Sequence, residues 1–277
     1  MSSGGSAPPA PVRLLAPAKL TLTLRITGDR ADGYHLIDAE MVTLDLCDEV
    51  IIHPSSTSTV KVVPVGGRSP EAPDGGWDIP AGGDNLVMRA LELVGRTAHV
   101  EVRKRIPPGA GLGGGSADAA AVLRWANRLA RRAGSAPEQL VSARQAASLG
   151  ADVAFCLVGG RAHVSGIGEI VEPLGFRRQS FVLWTPPIEV DTATVYGAWD
   201  KLGGPSGPNA NDLELAALAA YPGLRAWRDD LEEATGRTPQ LAGSGGTWFV
   251  PAPHGVLGGM FPNGGVSAVQ ARTIGRL

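Results

Sequence analysis

The segment Gly109-Ala-Gly-Leu-Gly-Gly-Gly-Ser116 limits what this chain can fold into more than any other stretch. It follows an alternating apolar run, Val100, Val102 and Ile106, closed by Pro107-Pro108, and it opens onto a helical pattern reaching about Arg132. A strand must therefore turn into a helix through backbone almost bare of side chains. Glycine lets the chain turn tightly and approach a ligand closely. A helix N-terminus offers unpaired N–H groups and the positive end of the dipole to an anion, and phosphate is the natural occupant. Three other phosphate motifs fit poorly. A P-loop needs a lysine before its final Ser or Thr, and here Gly115 precedes Ser116. The spacing Gly109, Gly111, Gly114 satisfies the dinucleotide pattern, yet the acidic residue expected about 20 positions on falls in the basic, helical stretch 128–134. The HRD and DFG signatures of protein kinases are absent from the sequence.

Periodicity organises the rest. Leu20, Leu22, Leu24 and Ile26 alternate with Lys19, Thr21, Thr23 and Arg25, which predicts a half-buried strand. Residues 41–52 read as further strand, 64–83 as a Gly/Pro-rich surface loop, and Asp84-Asn85 as the start of a helix that stops at Gly95. A helix over about 116–132 has Ser116 as cap, Asp118 in its first turn, Arg131 and Arg132 in its last and Gly134 beyond its end. Another is expected over 137–149, two more near 212–220 and 223–235, and strands near 161–163 and 181–185. Strands and helices mix without strict alternation, so the fold class is α+β in two layers.

At 277 residues the chain has room for one large domain or two modest ones. A net charge of -2 argues against a general nucleic-acid partner. No run approaches the roughly 18 apolar residues of a membrane helix. Residues 1–11 lack the apolar core of a secretory signal and read as a disordered tail, which places the protein in the cytoplasm. Cys47 and Cys156 lack metal or disulfide spacing and read as buried free thiols.

The stretch Pro-Pro-Gly-Ala-Gly-Leu-Gly-Gly-Gly-Ser-Ala-Asp at 107–118 resembles the second motif of the GHMP kinases. Further ordered matches are Pro17-Ala-Lys-Leu with Asp32-Gly-Tyr-His35, Asp84-Asn-Leu-Val, Leu149-Gly-Ala-Asp152-Val, Asn211-Asp-Leu-Glu214 and Ala242-Gly-Ser-Gly245. They span about residues 16–250, and the Asp-Gly-Tyr-His stretch points to the branch acting on a cytidine diphosphate-linked methylerythritol. The resemblance implies a two-domain GHMP kinase fold: a ribosomal-protein-like N-terminal domain over 12–164 and an α/β-sandwich C-terminal domain over 165–277. It implies ATP and Mg²⁺ as cofactors, a small-molecule substrate, no nucleic-acid or membrane partner, and a monomer or homodimer.

The same resemblance assigns roles. Asp152 matches the proposed catalytic base, and Lys19 the lysine paired with it. Pro107, Gly109, Ala110, Gly111, Leu112, Gly113, Gly114, Gly115, Ser116 and Ala117 form the nucleotide loop, with Ser116 also a candidate for magnesium, and Asn85 and Lys104 are further nucleotide candidates. Tyr34 and Tyr196 would stack on cytosine while His35 reads its edge, and Gly243 and Ser244 would line the transfer site. Read without the resemblance, Asp152 is a cap or turn residue, Lys19 a solvated strand-end lysine, and Gly243-Ser244 an ordinary turn. His53, His99, His163 and His254 have no ligand spacing and read as structural. Departures from the family pattern are Thr21 for asparagine, Ala154 for proline, Ser165 for glutamate and Ala117 for serine. They leave open a related kinase acting on another small alcohol, or an inactive nucleotide-binding protein.

Overall fold

The computed structural model describes residues 10–65, 84–252 and 267–277. Most of the expected tail and of the 64–83 loop lies outside these residues, as does His254.

The first sheet is built on two long strands. β1 (Val12–Asp29) pairs antiparallel with β2 (His35–Pro54) along its whole length. The other edge of β2 is divided: residues 49–54 pair with β4 (Ala98–Lys104), and residues 37–42 pair with β5 (Arg161–Gly166). β3 (Thr59–Pro64) joins β4 in parallel, and β6 (Ile170–Leu174) joins β5 antiparallel. Helices α1 (Leu86–Leu93), α2 (Gly114–Arg132), α3 (Ala143–Ala147) and α4 (Ala151–Val158) cover one face, and Ala120, Leu123, Leu91, Phe155 and Val100 pack between the layers. β5 runs through the expected division at residues 164 and 165, and β6 carries this sheet to Leu174.

A second, four-stranded antiparallel sheet has the order β10 (Ser267–Arg272), β7 (Ser180–Thr185), β9 (Trp248–Pro251), β8 (Gln240–Leu241). Around its core of Trp184, Leu231, Leu213 and Trp248 pack α5 (Thr192–Lys201), α6 (Glu214–Ala220) and α7 (Leu224–Thr235). A third apolar cluster joins the two sheets: Ala18, Leu20, Val42 and Leu44 from the first, Phe181, Leu183 and Phe249 from the second, Ala110 and Leu112 from the glycine segment, and Ile106 just before it.

β1 touches all three clusters, Leu14 and Ala16 in the first, Ala18 and Leu20 in the joining one, Leu24 in the last. That placement explains a difference from the sequence reading. A half-buried strand was expected, but residues 16–21 are buried on both faces. Three other elements differ. α2 begins at Gly114, because the Gly113 carbonyl already accepts from Ala117 N (2.8 Å); Ser116 lies within the first turn and does not cap it. The helix expected over 137–149 is a 3₁₀ turn, Pro137–Gln139, followed by α3. Asn127 on α2 bonds both the N–H (2.8 Å) and the carbonyl (3.1 Å) of Val141, which removes that residue from any helical ladder, and Ser142 and Gln145 cap each other as the helix restarts. α5 was not foreseen; Asp191 caps it, accepting from Thr194 N at 2.7 Å.

Leu123 is fully buried on the helix that follows the glycine segment. Leu123→Ala removes that packing and is expected to lower unfolding free energy by about 2–5 kcal/mol, read from urea denaturation.

Candidate active site

The glycine segment lines a cavity of about 340 Å³, closed on its other sides by Val62, Val102 and residues 84–87. Asn85 stands on its wall with its side chain capping α1, accepting from Val87 N at 2.9 Å. Pro107, Gly109, Ala110, Gly111, Leu112, Gly113, Gly114, Gly115 and Ser116 all line it, whereas Ala117 is buried behind it in α2. Gly113 has φ +68, and a Cβ there would lie 2.8 Å from Lys19 Cγ. A side chain at Gly111 (φ +73) would meet the Gly245 carbonyl oxygen at 2.3 Å. These two positions therefore require glycine for conformation and for space. Gly114, Gly115 and Ser116 of the first turn of α2 line the cavity, and a helix N-terminus is the kind of element that binds phosphate.

β1 brings Lys19 to the same place. A register shift between Pro17 and Lys19 interrupts its pairing with β2, and such a bulge re-aims the side chain that follows. Lys19 is 5% exposed; its Nζ donates to Thr21 Oγ1 (3.2 Å) and pairs with Asp152 Oδ2 (3.4 Å). Its backbone N–H donates to the Leu112 carbonyl (3.0 Å), which ties the lysine directly to the glycine segment. Asp152 lies in the first turn of α4, where the dipole favours an anion, and its side chain stays one-third exposed. The surface-lysine and cap readings of these two residues give way to a buried ammonium facing an open carboxylate.

Lys104 has a different setting. Its ammonium is buried between Asp48, which it bonds very closely, and Asp118 Oδ2 at 2.9 Å. Asp48 also accepts from the backbone N–H of Arg105 (2.5 Å) and Ile106 (2.8 Å). Burial drives the Asp118 carboxyl above its ordinary range, against the pull of Lys104, and Asp48 adds to the rise. For Lys104, burial lowers the ammonium's pKa but the two carboxylates overcome it and raise it. A Cβ on Gly114 would lie 2.9 Å from Lys104 Nζ, so this charged cluster is the floor beneath the loop. Asp118, expected as an ordinary first-turn acid, is 4% exposed.

Around the hairpin between β1 and β2, His35 rather than Tyr34 packs on Tyr196, with ring centroids 5.0 Å apart and 30° between planes. Trp199 meets the His35 ring edge-on at 5.3 Å, and Asp200 Oδ1 lies 2.8 Å from His35 Nε2. Tyr34 is 59% exposed with the Arg30 guanidinium 5.3 Å above its ring. Burial, with a smaller push from the charge of Asp152, raises the Tyr196 hydroxyl to about 12.

Gly243 completes the centre: a Cβ there would lie 3.4 Å from Thr21 Oγ1 and 3.7 Å from Lys19 Nζ. Ser244 exchanges a hydroxyl hydrogen bond with Thr192 at 2.9 Å. Sequence reasoning missed Asp48, Thr192, Trp199 and Asp200. Trp199 and Asp200 sit one turn after Tyr196 on a helix that was itself missed, and only Asp191 as a cap signalled that helix. The other described histidines lie elsewhere: the rings of His53 and His99 meet at 5.5 Å, tilted by 45°, across β2 and β4, and His163 pairs with Asp38 (3.1 Å) and Glu172 (3.3 Å). Cys156 is buried and Cys47 half-buried; burial pushes their thiols up to about 12 and about 11. A separate hollow of about 400 Å³ on β2, β3 and β4 is lined by Glu49, Lys61, Glu101 and Arg103, whose charges answer one another.

Known proteins resemble this chain in sequence and fold. Residues 85–160 match the family model described as the GHMP kinases N terminal domain. A 4-diphosphocytidyl-2-C-methyl-D-erythritol kinase of Paracoccus denitrificans is 37% identical over 256 residues, covering 86% of this chain and 85% of that protein. Its namesake in Ruegeria pomeroyi is 34% identical, with coverage of 93% and 91%. A solved 4-(cytidine 5'-diphospho)-2C-methyl-D-erythritol kinase superposes with a TM-score of 0.65 at 32% identity, covering 88% of this chain and 91% of its own. A homoserine kinase from Cytophaga hutchinsonii, at 17% identity and a TM-score of 0.60, shares the fold.

Lys104→Met leaves two carboxylates stranded in the interior and is expected to cost about 3–5 kcal/mol near neutral pH. The Asp118 carboxyl is raised above its unfolded-state value, so the folded form binds the proton more readily and stability is lost as pH rises. Denaturation curves should therefore show the variant's deficit shrinking as the pH falls.

Proposed function

The chain belongs to the GHMP kinases, within the family of 4-diphosphocytidyl-2-C-methyl-D-erythritol kinases, and from that premise we propose that it transfers the γ-phosphate of ATP to the 2-hydroxyl of 4-diphosphocytidyl-2-C-methyl-D-erythritol, a step toward isoprenoid precursors. The observation that carries the reading is the meeting of Lys19, Asp152, the glycine loop and the Gly243 turn at one point.

Phosphoryl transfer to an alcohol needs a cradle for the phosphates, positive charge where negative charge builds, and a group that orients the hydroxyl. The backbone of 109–116 and the first turn of α2 serve as cradle, with Asn85 on the wall. Lys19 supplies the charge: two of its neighbours are Thr21 and Asp152, and a further donor is left for a phosphate oxygen. Asp152 accepts the hydroxyl proton or aligns the hydroxyl, while Gly243 and Ser244 close the opposite side. Lys104, which also lines the cavity together with Asp118, supports the loop from below and stands within reach of the nucleotide.

Magnesium would shield the phosphate charge. Among the described residues no group of at least three His, Cys, Asp or Glu side chains could hold a metal. Such an ion would be held chiefly by phosphate oxygens and water, with the Ser116 hydroxyl on the cavity wall as its protein oxygen. Tyr196, half-buried, would be the wall against which the cytosine rests, His35 would read its edge, and the exposed Tyr34 ring would fold over the base. A base stacked on an aromatic gains about 1–3 kcal/mol per contact. No helix among the described residues is long and apolar enough to cross a membrane. We place the division between the two domains near Gly175, where the first sheet has ended and the second has not begun.

The test is ADP release with Mg-ATP and this alcohol. Asp152→Asn should reduce turnover by roughly 10²–10⁴-fold, the usual contribution of a positioned acid or base. Tyr196→Ala should raise KM for the alcohol by about tenfold or more while leaving KM for ATP unchanged, the loss of one stacking contact. A Tyr196→Ala enzyme with unchanged KM for the alcohol would identify a related kinase that ignores the cytidine.

A further inference from the structure

The stretch Asn211-Asp-Leu-Glu214 belongs to the family pattern, yet it is outside the lining of the nucleotide cavity. Its surroundings give it a task. Asn211 is 2% exposed, and its side-chain amide uses every group it has. Nδ2 donates to the carbonyls of Leu241 (2.9 Å) and Gly243 (2.8 Å), while Oδ1 accepts from Leu213 N (3.0 Å). The same segment is stitched to β1, the strand that carries Lys19. Asn211 bridges to Leu24, and Asp212 N donates to the Leu24 carbonyl at 2.9 Å. The Asp212 carboxylate then accepts from Ile26 N (2.9 Å), Gly207 N (2.9 Å) and Arg25 Nη1 (2.5 Å).

The turn that Asn211 grips is closed by Gly245 N on the Ala242 carbonyl (3.2 Å) and Ala242 N on the Thr247 carbonyl (2.9 Å), but neither bond uses the Gly243 carbonyl that Asn211 holds. Gly243, Gly245 and Gly246 have φ of +65, +109 and +82, and glycine moves between such conformations at little cost. Gly243 nonetheless sits directly beside Thr21 and the Lys19 ammonium. A shift of this turn is therefore a shift at the transfer site, and displacements of about 1 Å there can cost about 10²-fold in rate.

Resting on the kinase reading above, we propose that Asn211 is a positioning residue for phosphoryl transfer: its amide clamps the glycine turn to the lysine-bearing strand and so fixes the wall opposite Asp152. It touches neither nucleotide nor alcohol and acts through Gly243.

Asn211→Asp tests this, because it keeps the shape and the acceptor toward Leu213 but turns an oxygen toward two carbonyls. Leu231→Ala, a core truncation in α7 that leaves the hydrogen bonds of Asn211 in place, is the control for lost stability alone. Both are assayed well below their unfolding temperatures. The expected result is a kcat lower by about 10²-fold for Asn211→Asp with KM for ATP within about threefold, and wild-type kcat for Leu231→Ala. A kcat for Asn211→Asp that falls no further than that of Leu231→Ala overturns the clamp and leaves the kinase reading standing. If wild-type protein turns over none of the alcohol, the kinase reading fails, and amide hydrogen exchange decides the clamp. Acceleration in Asn211→Asp confined to residues 242–247 upholds it, and exchange that is unchanged or uniformly faster overturns it.

Discussion

The structure depends on one close backbone approach, between the glycine loop at 109–113 and the glycine turn at 243–246. A Cβ at Gly111 would stand 2.3 Å from the Gly245 carbonyl oxygen, and one at Gly246 would stand 2.9 Å from the Gly109 carbonyl oxygen. Each segment thus occupies the volume that a side chain on the other would need. Hydrogen bonds complete the contact: Thr247 N donates to the Ala110 carbonyl (3.1 Å), and Ala242 N to the Thr247 carbonyl (2.9 Å). The first segment belongs to the sheet-and-helix layer begun by β1, and the second to the sheet built on β7. Bare backbone at both places lets the two halves meet at van der Waals distance, and the apolar cluster of Leu20, Leu112, Leu183 and Phe249 seals the region beneath them.

Two lysines near this contact show how burial divides labour between similar residues. Lys104, at the edge of the cavity, lies between two carboxylates that are themselves buried, and both answer its charge. Buried charges tolerate such a site only when paired and hydrogen-bonded. Lys19 is almost equally buried, but its partner Asp152 is one-third exposed and its bond to Thr21 is to a neutral hydroxyl. Its charge is incompletely answered from within, which suits a group that must answer a phosphate. The cluster of Asp48, Lys104 and Asp118 holds the floor of the loop, and the Lys19–Asp152 pair faces the reacting atoms.

Much of this was legible along the chain because it is local. The Gly/Pro signals at 107–118, the helix caps at Asn85 and Gly134 and the alternation in β4 depend on a few neighbouring residues. Motif matching located Lys19 and Asp152 although neither stands out by residue type. Other readings failed for non-local reasons. β1 loses its two-faced pattern because three separate cores press on one strand. The stretch 137–149 breaks because Asn127, ten or more positions upstream, captures the backbone of Val141. The pairing of Tyr196 with His35 spans the two halves, and no period in the sequence records it.

The sequence by itself determined the α+β class, the anion-binding loop, the family and the positions at which chemistry was to be sought. Those properties follow from backbone freedom, periodicity and ordered motifs, each carried by short stretches of chain. Only the tertiary structure decided which charges meet. It sent Lys104 and Asp118 into a buried cluster with Asp48, set Lys19 against Asp152 and Thr21, and brought Asn211 to the glycine turn from thirty residues away. The physical reason is that the strength of a charge or hydrogen bond depends on distance and on exclusion of water. Both are fixed by packing among segments far apart in the chain.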